Sequence, residues 1–209
     1  MEIDESLNIL LSKPEPNKNE ELSKFVNIIN NFNVNQNPVN KIYIDIFNNI
    51  IEKRLKMISD IDANIMYLWK AMQALRILSR NIGIQKEMYK ESHISIFKLC
   101  LEKLVKAMGK TKNKVVESTL IELISIIKRF FLPNPNISKQ THEKYLNMIV
   151  ESDIIDNFIL MFSSENESII KSLESIFNKD PFTIINNEKV LQKFKDPKNV
   201  KLLIRNFRK

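Results

Sequence analysis

The sequence predicts an all-α chain of stacked amphipathic helices, and three observations carry that prediction. Glycine occurs twice in 209 residues, so structures that depend on positive φ, such as phosphate-cradling loops and tight hairpins, have almost no material. No stretch alternates with period two over strand length, whereas Ile, Leu, Val and Phe recur at i, i+3, i+4 and i+7 along most of the chain. Hydrophobic residues make up 44% and charged residues 27%, the balance of a folded globular protein rather than a disordered or membrane-embedded one. At this length one substantial core or a short solenoid is expected, not two ordinary domains.

Taken in order, Leu7, Leu10 and Leu11 make a short apolar turn, and residues 13–19, with Pro14 and Pro16, read as a polar linker. Residues 1–19 are therefore an N-terminal segment and linker. A helix over 20–32 follows from Leu22, Phe25, Val26, Ile29 and Phe32, ended by the asparagine-rich run 33–37. Pro38 is expected in the first turn of the next helix, where its missing N–H costs nothing. That helix carries Ile42, Ile46, Phe47, Ile50, Ile51 and Leu55. Asp60 or Asp62 is placed to cap a helix that is apolar on more than one side, through Ile65, Met66, Leu68, Trp69, Met72, Leu75, Ile77 and Leu78, and so belongs at the centre.

A short piece at 84–89 precedes helices over 92–108 and 114–132, separated by the 109–113 turn. Pro133 and Pro135 end the second of these, and Ser138 with Thr141 can cap a helix to Val150. Helices over 153–162 and 167–178 complete the series before Asp180-Pro181 breaks it. Residues 20–180 thus form a helical-repeat domain, and 181–209 a basic amphipathic C-terminal helical cap broken at Pro197.

Internal self-similarity sharpens the fold. Lys90-Glu91-Ser92-His93-Ile94 matches Val150-Glu151-Ser152-Asp153-Ile154, and Val116, Leu120, Leu123 and Ile124 match Ile169, Leu173, Ile176 and Phe177. The difference between the two offsets falls in the inter-helix turn, where insertions are tolerated. Each unit reads as a short helix, a polar Glu-Ser corner, a second helix, a turn and a third helix packed inward. Over residues 60–180 this resembles the three-helix plan of armadillo/HEAT-type helical-repeat proteins, with Glu-Ser where a glycine-containing corner is usual. The resemblance implies a short right-handed α-solenoid that works as a protein–protein interaction scaffold or adaptor. Residues 69–80, Trp-Lys-Ala-Met-Gln-Ala-Leu-Arg-Ile-Leu-Ser-Arg, also resemble a segment of the synembryn family. Those proteins are armadillo-fold chaperones and exchange factors for G-protein α subunits, which offers that activity as a further alternative.

Catalytic and metal chemistry find few candidates. His93 and His142 have no second histidine or cysteine near them in sequence, and surface or capping roles are expected for both. Walker, dinucleotide and nucleophile-elbow signatures are absent, so the chain is read as a non-enzyme with no cofactor and no small-molecule substrate. The carboxylate pairs Glu117 with Glu122, Asp153 with Asp156, and Glu165 with Glu167 read as solvated faces. Cys100 is the single cysteine, expected as a small buried hydrophobe. With no leader in the acidic start (Glu2, Asp4, Glu5) and no 18-residue apolar run, an intracellular location, cytoplasmic or nuclear, is expected.

The formal charge of +7 resides at one end. Lys189, Lys193, Lys195, Lys198, Lys201, Arg205, Arg208 and Lys209 face one acid, Asp196, so the rest of the chain is balanced. Val190, Leu191, Phe194, Val200, Leu203, Ile204 and Phe207 give this segment an apolar face. It reads as a cap with solvated lysines or as a site for anions; a protein partner is the first expectation, and nucleic acid or an anionic membrane the alternative. Trp69 is the candidate interface anchor, against the commoner reading of a core tryptophan.

Overall fold

A computed structural model describes residues 26–27, 29–35, 37–55, 61–110, 113–132, 134–162, 164–177 and 188–201. The N-terminal linker, Asp60, Arg205, Arg208 and Lys209 lie outside the described residues. Among those described there is no strand, and no helix is long and apolar enough to cross a membrane. The chain is all-α.

Asparagine begins several of the helices. Helix α1, Lys41–Asn49, starts at Asn40, whose side chain accepts from Ile42 N at 3.0 Å. Pro38 therefore sits before the cap, not in the first turn as its sequence position suggested, because Asn40 supplies a better N-terminal acceptor. From Ile50 to Leu55 the chain winds as a π-helix, which keeps Ile50, Ile51 and Leu55 buried. Helix α2, Ile61–Leu78, buries Leu68, Ala71, Met72, Ala74, Leu75 and Leu78 completely, as expected of a central helix.

Asn81 opens α3, Ile82–Met88, by accepting from Gly83 N and Ile84 N, and its own amide donates to Val34 O at 3.0 Å. Helix α4, Glu91–Met108, follows after Lys90. The polar corner thus falls at Lys90, and Glu91-Ser92 lies inside the first turn of α4. In the second unit Glu151-Ser152 closes the preceding helix instead, so the two corners are offset from the alignment by a residue or two. Helix α5, Lys114–Ile127, starts at Asn113 and runs on as a 3₁₀ turn, Lys128–Phe131. Ser138 Oγ accepts from Thr141 N at 3.1 Å at the start of α6, Lys139–Glu151. Helices α7, Ile154–Met161, and α8, Glu167–Phe177, complete this part, and α9, Glu188–Lys195, follows. A last helical turn at 197–201 starts on Asp196, which accepts from Lys198 N at 2.8 Å, so the break falls at Asp196 and Pro197 occupies the first turn.

Helix α5 lies between α2 and α8, while α4 lies between the π-helical turn and α7. Helix α9 packs on α6 and α7. Matching residues do matching work: Val116, Leu120, Leu123 and Ile124 are buried, as are Ile169, Leu173 and Ile176. The caps match too, since Asn113 Oδ1 accepts from Val115 N and Asn166 Oδ1 from Ser168 N, both at 2.9 Å.

Ion pairs tie the helices to one another. Glu91 pairs with Lys144 at 3.1 Å, and its repeat equivalent Glu151 pairs with Lys189. Asp153 pairs with Lys98 at 2.7 Å, and Asp156 with Lys193. Glu117 accepts from Asn166 Nδ2 at 2.8 Å. Of the carboxylates whose spacing predicted solvated faces, Glu117, Asp153 and Asp156 thus also tie helices together. Glu167 does lie on an exposed face, paired with Lys171 along its own helix.

Candidate functional site

The α2, α5 and α8 column presents a polar face whose side chains come from positions one helical turn apart. Along α2 and the turn that follows it the stripe is Met66, Trp69, Gln73, Arg76 and Arg80, alternating steps of three and four residues that keep side chains on one side of a helix. Met66 is 40% exposed, Trp69 is half-buried, and Lys70 lies over the indole at 4.5 Å. Trp69 is thus neither core nor fully displayed: its ring is covered on one side by a cation.

Arginines converge at the far end of this stripe. Arg76 Nε pairs with Glu122 of α5. Arg129, in the 3₁₀ turn after α5, donates from Nε to Ser79 Oγ at 2.9 Å, and Ser79 Oγ donates in turn to Arg76 O at 2.9 Å. Ser79 is completely buried, so the hydroxyl that orients Arg129 is itself fixed. A further layer holds it: Gln85 Nε2 donates to Ser79 O at 2.9 Å, and Asn134 Nδ2 donates to Gln85 Oε1 at 3.1 Å. The neighbouring Lys128 donates to Ser175 of α8 at 2.8 Å, so the end of α5 reaches both flanking helices.

The charges there do not balance. Burial pushes the Glu122 carboxyl above its ordinary value, against the pull of Arg76 and Arg80. Arg129 is pushed down to about 10, first by burial and then by repulsion from Arg80 and Arg76. Three guanidiniums face one carboxylate, and among the described residues neither Arg80 nor Arg129 pairs with an acid. Arg80 is exposed. Such an arrangement is a preformed donor set for an anion, since guanidinium forks match carboxylate and phosphate oxygens two at a time.

The basic C-terminal segment is arranged differently. Val190 is fully buried and Phe194 packs on the core. Lys189 and Lys193 are paired with Glu151 and Asp156, and Lys193 also donates to Ser152 O at 2.9 Å. Lys195, Lys198 and Lys201 are exposed. The described cations of this segment thus divide between pairs that hold α9 down and a group that faces water.

His93, expected at a surface corner, is completely buried. Its Nε2 lies 3.1 Å from Glu52 Oε1 of the π-helical turn, and Phe47 meets its ring edge-on at 6.4 Å. Burial lowers its pKa, opposed by Glu52. Beside it Lys90 bonds Glu87 and Asn48 at 2.8 and 3.0 Å. His142 keeps a bonding role, with Nε2 2.8 Å from Phe130 O. Cys100 is buried and its thiol pushed up to about 12 by burial, which makes it an inert core residue. Among the described residues no group of three His, Cys, Asp or Glu side chains could hold a metal ion.

The arginine cluster was not singled out by the sequence, although a signal exists: Arg76 and Arg80 are four apart at the end of one helix, and Lys128-Arg129 follows another. No protein-family model, curated protein or solved structure matches the chain.

Proposed function

We propose that this protein is a non-enzymatic interaction scaffold of armadillo-like plan, a short α-solenoid in which α2, α5 and α8 are the third helices of successive units and their common face binds a protein segment. The single observation that carries this reading is the uncompensated arginine set, Arg80 and Arg129 beside the Arg76–Glu122 pair, on the face that also carries half-buried Trp69. A large aromatic and guanidiniums on one face are residue types that dominate interface energetics. The packing of α5 between α2 and α8, and of α4 between the π-helical turn and α7, supports the repeat plan.

In this reading the basic C-terminal segment is a terminal cap whose lysines stay in water, and the pairing of Lys189 and Lys193 favours that over an anion site built from the whole segment. Site-specific photocrosslinking tests the assignment of the binding face. A crosslinker at position 69, or at half-buried Ser125 of α5 one turn before Arg129, should capture a defined protein, while one at Leu99 or Leu160, exposed by 40% and 41% on the other column, should not. Equal labelling from both faces would remove the basis for the groove.

A further inference from the structure

We infer that the cluster of Arg76, Arg80 and Arg129 binds a phosphorylated side chain of a partner's peptide segment. The inference rests on the groove reading above and adds the chemistry of what the groove takes. Glu122 already occupies Arg76, which leaves the charge of two guanidiniums uncompensated. A carboxylate would cancel one of them; a phosphate monoester carries about −1.5 to −2 charge and three acceptor oxygens, and so matches both. Arg129 is held before the ligand arrives, because Ser79 bonds its Nε and is itself buried. Like charges pressed together in a half-buried place cost the free protein energy, and an anion relieves that cost on binding.

The geometry favours a single phosphate over a polyanion. Among the described residues the other lysines of this face are bonded locally, Lys70 over the Trp69 ring and Lys128 to Ser175, whereas a nucleic-acid backbone requires a continuous cationic track. A peptide extending from the arginines would instead run toward Trp69 and Met66, where apolar contact is available.

The arginine Nε–Hε NMR signals of the intact chain report the test directly. The probe is an alanine/glycine peptide with one central phosphoserine, compared with its serine form, inorganic phosphate, a thymidine oligonucleotide and phosphatidylserine vesicles. Expected are shifts of the Arg80 and Arg129 signals at about tenfold lower concentration of phosphopeptide than of the serine form, as befits charge-assisted bonds. Arg80→Glu, at an exposed position that leaves folding intact, should abolish the preference. Glu122→Gln should strengthen binding several-fold, because it frees Arg76 from its internal carboxylate. A preference that survives Arg80→Glu overturns the inference, as does inorganic phosphate matching the phosphopeptide, or the oligonucleotide or vesicles displacing it. Should a protein crosslinked from position 69 be captured equally well by the Arg80→Glu chain, the groove reading stands and the phosphate reading falls.

Discussion

Gly83 occupies one of two glycine positions, and its place explains it. A Cβ there would come within 3.0 Å of both Asn81 Oδ1 and Val39 Cγ1, so glycine is what allows Asn81 to close over the α3 N-terminus. Gly83→Ala would gain helix propensity yet force the cap away, and Asn81 also anchors Val34. The expected net loss is about 1 kcal/mol, the worth of an N-cap with its tether less the propensity gain, read from urea unfolding; a stabilised variant would contradict the cap argument. His93 makes a second case. Its folded pKa lies below the ordinary 6.5 because burial penalises the imidazolium. The unfolded chain therefore takes up the proton first as pH falls, so the stabilisation is complete above about 6.5 and is lost progressively as pH drops through the lowered folded value. Urea midpoints between pH 7 and pH 5 should decline, and His93→Gln, which cannot titrate, should flatten that part of the profile. A decline of the same size in both proteins would assign it to other groups.

Two caps at matching positions carry unequal loads. Asn113 bonds one backbone N–H, whereas Asn166 bonds Ser168 N and Ile169 N and also donates to Glu117 of α5. Asn113→Ala should cost about 1 kcal/mol and Asn166→Ala nearer 2, at the upper end of cap substitutions, with thermal unfolding of the two variants giving the order. Equal losses would mean that neither the second N–H nor the bond to Glu117 contributes. These helices were readable because their apolar spacing holds the 3.6 period and their ends carry Asn, Ser or Pro. The π-helical turn at Ile50–Leu55 was not readable, since its apolar residues fit an α-helical stripe equally well and only the widened winding aims Glu52 at His93. For the same reason His93 looked superficial: its polarity and nearness to a corner mark a surface, and the partner that lets it be buried lies on another helix. The arginine site was hidden by the same separation, as Arg129 meets Ser79 across fifty residues and only the neighbour relation of α2 and α5 makes them one site. The basic end was visible as charge, but Glu151 and Asp156, which neutralise part of it, lie on α6 and α7.

An array of units and a single core respond differently to damage at one end. In an array each unit contacts only its neighbours, so stability is local and a lesion spreads no further than the adjoining unit. Helix α9 docks through Val190, fully buried against α6 and α7, with Lys189 and Lys193 paired at the rim. Val190→Asp puts an unpaired carboxylate into that contact at a cost of about 3 kcal/mol, enough to release the helix. Native-state hydrogen exchange should then lose protection in α9, α6 and α7 by about a hundredfold, the equivalent of that free energy. The amides of α2, held between α1, α4 and α5, should change less than threefold. The middle helix α5 distinguishes the two cases most sharply, because it contacts α2 on one side and α8 on the other: in an array it keeps the protection given by α2 even when α8 has loosened. A uniform loss through α2 and α5 would show one cooperative core, and the stacked-unit reading would fall with it.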